Sequence, residues 1–244
     1  MQLSKRLTAL ADLVTTGNRL ADVGTDHGYV PISLIEQKRI PSAIAMDINK
    51  GPLERAREHI RQYGYEAYIE TRLSDGLYAL KAGEADAVLI AGMGGDLIRR
   101  ILEDGAEVLP SVKELILQPQ SEIQKVRRWL VEHGWTIVCE NIVLDEGKYY
   151  PMFRAVHGEE KRNYSLADYR FGHLELQQSM DTLKEFLEKQ RETQRQILAS
   201  LPKTGDERIL QRRKLVQEEI ELLRAEQLAC VLTQCKQEMD RRSK

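Results

Sequence analysis

The chain has 244 residues, 42% of them apolar and 30% charged, with a net charge of −2. This length fits one large domain, or one domain with a smaller attachment. The apolar share excludes a wholly disordered chain, and the charge balance excludes a uniformly basic nucleic-acid coat while leaving room for a local basic face. No apolar run approaches the roughly 18 residues that span a bilayer. The opening MQLSKRLTALADLV has helical spacing and lacks a signal-peptide core, and no membrane attachment is expected. Cys139, Cys230 and Cys235 form no CxxC pair, and the histidines show no metal-ligand spacing. A reducing compartment and no metal site are expected.

In chain order, Leu3, Leu7, Leu10 and Val14 share one helical face, and Thr16-Gly17-Asn18 ends that helix. Residues 19–24 then read as a buried strand, 30–37 as a helix and 42–48 as a second strand. A helix over 53–63 has Pro52 near its first turn. Strands over 66–73 and 86–93, a helix over 96–102, a strand over 114–120 and a helix over 123–132 follow. Residues 135–156 read as two strands around a DEGK turn. This alternation predicts an α/β fold: a Rossmann-like, doubly wound, mostly parallel seven-stranded sheet with an antiparallel edge strand.

The composition shifts near His157-Gly158-Glu159, so a first domain over 1–158 and a second over 159–244 are expected. Residues 161–244 hold 17 Lys and Arg against 14 Asp and Glu; residues 1–160 hold 19 against 24. Leu176, Met180, Leu183, Leu187, Ile197 and Leu201 fall on three-four spacing, with Gln190 and Gln194 between. Ile209, Val216, Ile220, Leu223 and Cys230 repeat it after LPKTGD. Two such segments predict an antiparallel, coiled-coil-like helical hairpin.

The first strand runs into Asp22-Val-Gly24-Thr-Asp26-His-Gly28-Tyr29. A glycine-rich turn between a strand and a helix is a nucleotide-binding corner of a doubly wound sheet, although a tight turn alone also selects glycine. Asp26 stands where GxGxxG would bring a second glycine to a pyrophosphate. A carboxylate there repels a dinucleotide and favours a cationic ligand. Asp47, beside Ile48, follows Gly28 by 19 residues, the spacing of an acid that binds ribose hydroxyls. S-adenosylmethionine has a ribose, a sulfonium and an ammonium, and lacks a pyrophosphate. Asp75-Gly76 after the third strand suits an adenine amino group, or else caps a turn. Ala91-Gly92-Met93-Gly94-Gly95 should line the reacting centre, since ligands bind at the carboxyl ends of the strands. Gln118-Pro119-Gln120 lines the same crevice or simply packs. Tyr149 and Tyr150 stack on a base or pack in the strand. Tyr29 is the better substrate-side candidate beside the glycine turn, ahead of His27.

These residues resemble the class I S-adenosylmethionine-dependent methyltransferases over roughly 1–156. ADVGTDHGYVP, AMDIN, SDGL, AGMGG, LQPQ and EGKYYP, with the helical extension, closely resemble the bacterial tRNA (adenine-22-N1)-methyltransferase family over essentially the whole chain. The resemblance implies S-adenosyl-L-methionine as cofactor, tRNA as partner and N1 of an adenine in the D-loop region as acceptor. It implies cofactor contacts from Asp22, Gly24, Asp26, Gly28, Asp47, Ile48, Asp75, Gly76 and Gly92, with Asp26, Tyr29 and Met93 at the catalytic junction. The Asp/Asn-Pro-Pro-aromatic string of exocyclic amino methylases is missing, which suits a ring-nitrogen target. The hairpin, with Arg212-Arg213-Lys214 and Arg241-Arg242, is the expected tRNA-binding arm. The competing expectations are a nicotinamide-dependent oxidoreductase on the same fold and a non-catalytic coiled-coil interaction protein.

Overall fold

Buried apolar runs too short for helices form the strands, and amphipathic stretches between them form the covering helices. The computed structural model describes the backbone of residues 1–242 and the side chains of residues 1–236 and 239. The chain divides into two compact units, Met1–Asn163 and Tyr164–Lys244.

The first unit contains α1 (Lys5–Leu13), β1 (Leu20–Val23), α2 (Tyr29–Glu36), β2 (Ala43–Asp47), α3 (Lys50–Tyr63), β3 (Ile69–Leu73), β4 (Ala87–Gly94), α4 (Gly95–Asp104), β5 (Glu114–Ser121), α5 (Ile123–Glu132), β6 (Trp135–Asp145) and β7 (Lys148–His157). The strand order is β3-β2-β1-β4-β5-β7-β6. Pairs from β3 through β5 are parallel, and β7 runs antiparallel to both β5 and β6. The reversed strand thus sits one place in from the edge that β6 forms. Direction of travel along the sheet changes between β1 and β4, and crevices open at such a switch point.

On one face of the sheet, Leu10 of α1, Leu34 of α2 and Ile60 of α3 join Leu20, Leu89, Ile116 and Met152 in one buried cluster. On the other, α4 packs with α5, and Arg127 of α5 is buried on Glu140 of β6 at 2.7 Å, its guanidinium over Phe153. A buried pair missing either partner costs about 3–5 kcal/mol, so this contact holds α5 to the sheet's edge.

The first unit runs on to Asn163 rather than stopping at 158. Arg162 donates to the Ile137 carbonyl at 2.6 Å and pairs with Glu160 at 2.7 Å, tying the segment back to β6. With the break at Asn163, the second unit holds 15 Lys and Arg against 14 Asp and Glu, so its surplus of positive charge is smaller than the sequence break suggested.

The second unit holds α6 (Leu166–Phe171), a 3-10 turn at Leu174–Leu176, α7 (Met180–Ser200) and α8 (Glu207–Arg242). Leu176, expected on the first seam, lies in that 3-10 turn instead, and α6 has no counterpart among the expected elements. A reciprocal Ser165–Asp168 capping box starts α6, satisfying two amide donors that a helix leaves open. Helices α7 and α8 run antiparallel: Gln234 reaches Asp181 at 2.8 Å, Gln227 reaches Glu188 at 2.6 Å, and Arg213 reaches the Leu201 carbonyl at 2.8 Å. Met180, Leu183 and Leu187 on one helix, and Val216, Ile220, Leu223 and Cys230 on the other, form its buried seam. The Arg241-Arg242 side chains lie outside the described residues. No described helix is long and apolar enough to cross a membrane.

Candidate active site at the carboxyl ends of β1 and β4

A cleft of about 220 Å³ opens between α1, α2 and the ends of β1 and β4. Arg6, Leu7 and Leu10 line it from α1, Asp22 and Gly24 from β1 and its turn, and Leu89 and Ala91 from β4. Asp26, His27 and Tyr29 form its mouth on the α2 side. A larger cavity of about 540 Å³ lies at the opposite end of the sheet, around Arg39, Tyr65 and Tyr68. It brings no cluster of acids together, so we assign the chemistry to the smaller cleft.

The turn after β1 is fixed by backbone. Gly24 and Thr25 both donate to the Met46 carbonyl of β2 at 2.8 Å. Gly24 has φ +74°, and a side-chain carbon there would fall 2.1 Å from the Met93 methyl. The fold therefore brings the Met93 side chain onto the Gly24 backbone. Gly28 caps α2 at φ +67°, and its open side meets Ala56 and Ile60 of α3. It serves helix packing as well as the turn.

Asp22 and Asp47 end neighbouring strands and are both buried. Burial pushes the Asp22 carboxyl up to about 6; the Asp47 charge adds to the shift and the Thr25 hydroxyl opposes it. Asp47 accepts the Asn49 amide at 2.7 Å, which orients its carboxylate. Two desolvated acids side by side attract a cation or a set of hydroxyl donors. Ile48, next along, is 57% exposed, and Leu73 opposite Asp47 in the β2–β3 register is 49% exposed. Exposed aliphatic side chains at adjacent strand ends make a flat apolar floor beside the acids. Asp75 is exposed beyond β3. Gly76 is buried, and a side chain there would press on Ile101 of α4 at 3.0 Å, so packing accounts for this glycine.

Asp26 is exposed, its side chain 61% accessible. Its carboxylate pairs with Arg55 of α3 at 2.9 Å and lies 3.4 Å from His27. Tyr29, His27 and His59 cluster ring on ring, with centroids 5.0–5.2 Å apart. On the other side, Gly92 has φ +77°, and the Arg6 guanidinium and the Gln120 amide lie 3.7 and 3.8 Å from where its side chain would begin. The Arg6 guanidinium rests over the Tyr150 ring at 5.1 Å.

Arg6 is the site residue that sequence reasoning missed. It precedes every motif, and helical spacing marked α1 as core. The half-buried arginine in its first turn carried no signal until the fold laid α1 along the cleft.

The methyltransferase domain family matches residues 3–153. A tRNA (adenine(22)-N(1))-methyltransferase of Bacillus subtilis (strain 168) is 38% identical over 164 residues, covering 67% of this chain and 69% of the relative. A crystal structure of a Streptococcus pneumoniae putative tRNA (m1A22) methyltransferase in complex with S-adenosyl-L-methionine aligns with a TM-score of 0.81 at 33% identity, over 92% of this chain and 99% of that one. A structure of the M. capricolum protein TrmK in complex with S-adenosyl-homocysteine aligns with a TM-score of 0.81 at 25% identity, over 93% of this chain and 98% of that one.

Proposed function

Given that the chain belongs to the methyltransferase domain family, and within it to the tRNA (adenine(22)-N(1))-methyltransferases, we propose how its own residues carry out S-adenosyl-L-methionine-dependent methylation of N1 of an adenine in tRNA. The observation that carries the reading is the buried Asp22–Asp47 pair at the switch point, with the Asp22 carboxyl pushed up to about 6. That donor set fits this cofactor: Asp22 takes its ammonium, Asp47 its ribose hydroxyls and Asp75 its adenine amino group, with Ile48 against the ring. The Gly24 backbone admits the ligand closely, and Gly28 and Gly76 shape the turns around it. Arg6, across the cleft from Asp22, complements a carboxylate.

When bound, the cofactor supplies a methyl group on a sulfonium. Adenine N1 carries an in-plane lone pair and no proton at neutral pH, so no residue has to remove one. The chain's contribution is positioning. Met93 over Gly24, and Gly92 beside Arg6 and Gln120, bracket the place where acceptor and donor meet. Tyr29 walls the acceptor side. Asp26 acts from the rim, sharing its charge with Arg55, and favours the cationic product.

The second unit is the tRNA-binding extension in this reading. Arg212 and Lys214 offer phosphate contacts, whereas Arg213 is spent on the Leu198 and Leu201 carbonyls. The cytoplasm, where tRNA is found, is the assigned location. The test is labelled methyl transfer to unmodified bulk tRNA followed by nucleoside analysis. The expected product is 1-methyladenosine, and methyl label in any other nucleoside alone would overturn the proposal.

A further inference from the structure

Gln118, near the end of β5, is fully buried, and its Oε1 has no hydrogen-bond partner among the described residues. Its Nε2 faces the Pro119 carbonyl at 3.4 Å. Only the nitrogen can face that oxygen favourably, so the free end of the amide is the acceptor. A buried amide oxygen left unmatched costs about as much as a lost hydrogen bond, and native proteins keep few of them.

The register shows where this acceptor sits. Gln118 pairs with Ala91, and Ile116 with Leu89, in the parallel β4–β5 ladder. Side chains of paired residues point to the same face, and Ala91 and Leu89 line the cleft. Gln118 thus lies on the cleft face, at the level of Ala91. Beyond Gln118 the ladder shifts register, Pro119 pairing with Met93 and Ser121 with Gly94, so strict alternation ends there. The Gln120 amide and the Arg6 guanidinium both approach Gly92. The Arg6 guanidinium lies over the Tyr150 ring at 5.1 Å while its backbone amide donates to the Asp145 carboxylate at 3.0 Å, so a long side chain anchored at its base covers the level of Gly92.

We propose that Gln118 is the specificity-determining residue for adenine, its Oε1 accepting a hydrogen bond from the 6-amino group of the acceptor base once Arg6 swings aside. This rests on adenine N1 being the acceptor, as proposed above. The 6-amino group is the neighbour of N1, so an acceptor that holds it also aims N1. Guanine presents an oxygen at the same position and is repelled. As the ring gains positive charge on methylation, its amino hydrogens become stronger donors, so the contact strengthens toward the transition state.

The experiment compares two transcripts of one tRNA, one with the target adenine and one with purine in its place, which keeps N1 and lacks the amino group. Methyl transfer from labelled S-adenosylmethionine is measured for wild type and Gln118→Leu, with S-adenosylmethionine binding reporting the folded site. The expected result is a loss in kcat/KM of about tenfold or more on the adenine transcript, with wild type and variant equal on purine. An equal loss on both transcripts, or no loss on adenine, overturns the inference. Should Gln118→Leu fail to bind S-adenosylmethionine, Gln118→Met, unbranched and close in volume, is read by the same two ratios. A wild type that methylates neither transcript overturns the function itself and this inference with it.

Discussion

The Met93 side chain closes over the Gly24 backbone, its methyl carbon 2.1 Å from where a side chain at Gly24 would begin. Met93 is flexible and can move off, so the clash by itself is cheap. The left-handed φ of +74° is not, and a Cβ there costs about 1–2 kcal/mol. Gly24→Ala should lower stability by about that much. It should weaken S-adenosylmethionine more, because the displaced Met93 enters the cleft. Thermal unfolding and calorimetry separate the two, and a stability loss with unchanged ligand affinity would place Met93 outside the site.

Asp22→Asn should make the unliganded protein more stable and a poorer binder. The folded value of about 6 lies above the unfolded value of about 3.9. The stability Asp22 gives is therefore full below about pH 4 and is lost as pH rises through about 6. Asparagine does not ionise, so at pH 8 the variant should gain about 3 kcal/mol or somewhat less. Denaturant titrations at pH 4 and pH 8 test this. A wild type equally stable at both, relative to the variant, would contradict it.

Asp47→Ala removes the acceptor for the Asn49 amide and, in the proposed reading, the contact to the ribose. Cofactor affinity should fall roughly tenfold or more, given about 1.5–3 kcal/mol for a hydrogen bond to a charged group. An unchanged dissociation constant would remove Asp47 from the site.

Asp26→Ala should scarcely change stability, because an exposed pair such as Asp26–Arg55 contributes about 0–1 kcal/mol. Together with Tyr29→Ala, it should slow single-turnover methylation of tRNA at saturating cofactor. Wild-type rates with only weakened cofactor affinity would move both residues to the cofactor side.

A chain ending at Asn163 should fold and bind S-adenosylmethionine, since every residue proposed to hold the cofactor lies in the first unit. It loses 15 of the 36 basic residues, so its tRNA affinity should drop and the salt dependence flatten, each lost phosphate contact removing roughly 0.7–0.9 from the slope. Ending at 158 instead should also cost stability, because Arg162 and its bond to Ile137 go with it. Full tRNA affinity in the shorter chain would assign the hairpin another role.

The sheet was legible because its strands are buried runs between glycine turns, and periodicity reports burial directly. The acids at 22 and 47 were legible because position after a strand is itself a chemical statement in this fold. A glycine beside a site acid looks the same in a sequence whether a ligand or packing takes the space, and at Gly76 the space a side chain would fill is held by Ile101. Gln118 and Tyr150 were readable as strand residues that either face the crevice or pack, whereas Arg6 was not: only the lie of α1 brings it to the cleft and over Tyr150, and no local pattern encodes that. The capping box at Ser165 and Asp168 was readable, but the loss of strand-like runs after 158 drew the reading to the long heptads instead.

The reversed strand β7 also sets an order of assembly in time. During synthesis β1 through β4 can pair as soon as they emerge, so the cofactor half of the sheet closes early. β6 has only one neighbour, β7, and β5 must wait for the same strand on its outer side. Until Lys148–His157 has left the ribosome, the 11 residues of β6 have no partner and expose an apolar strand edge, which is prone to pair with other chains. The hairpin turn at Glu146-Gly147 shortens that interval to the time needed to make one more strand.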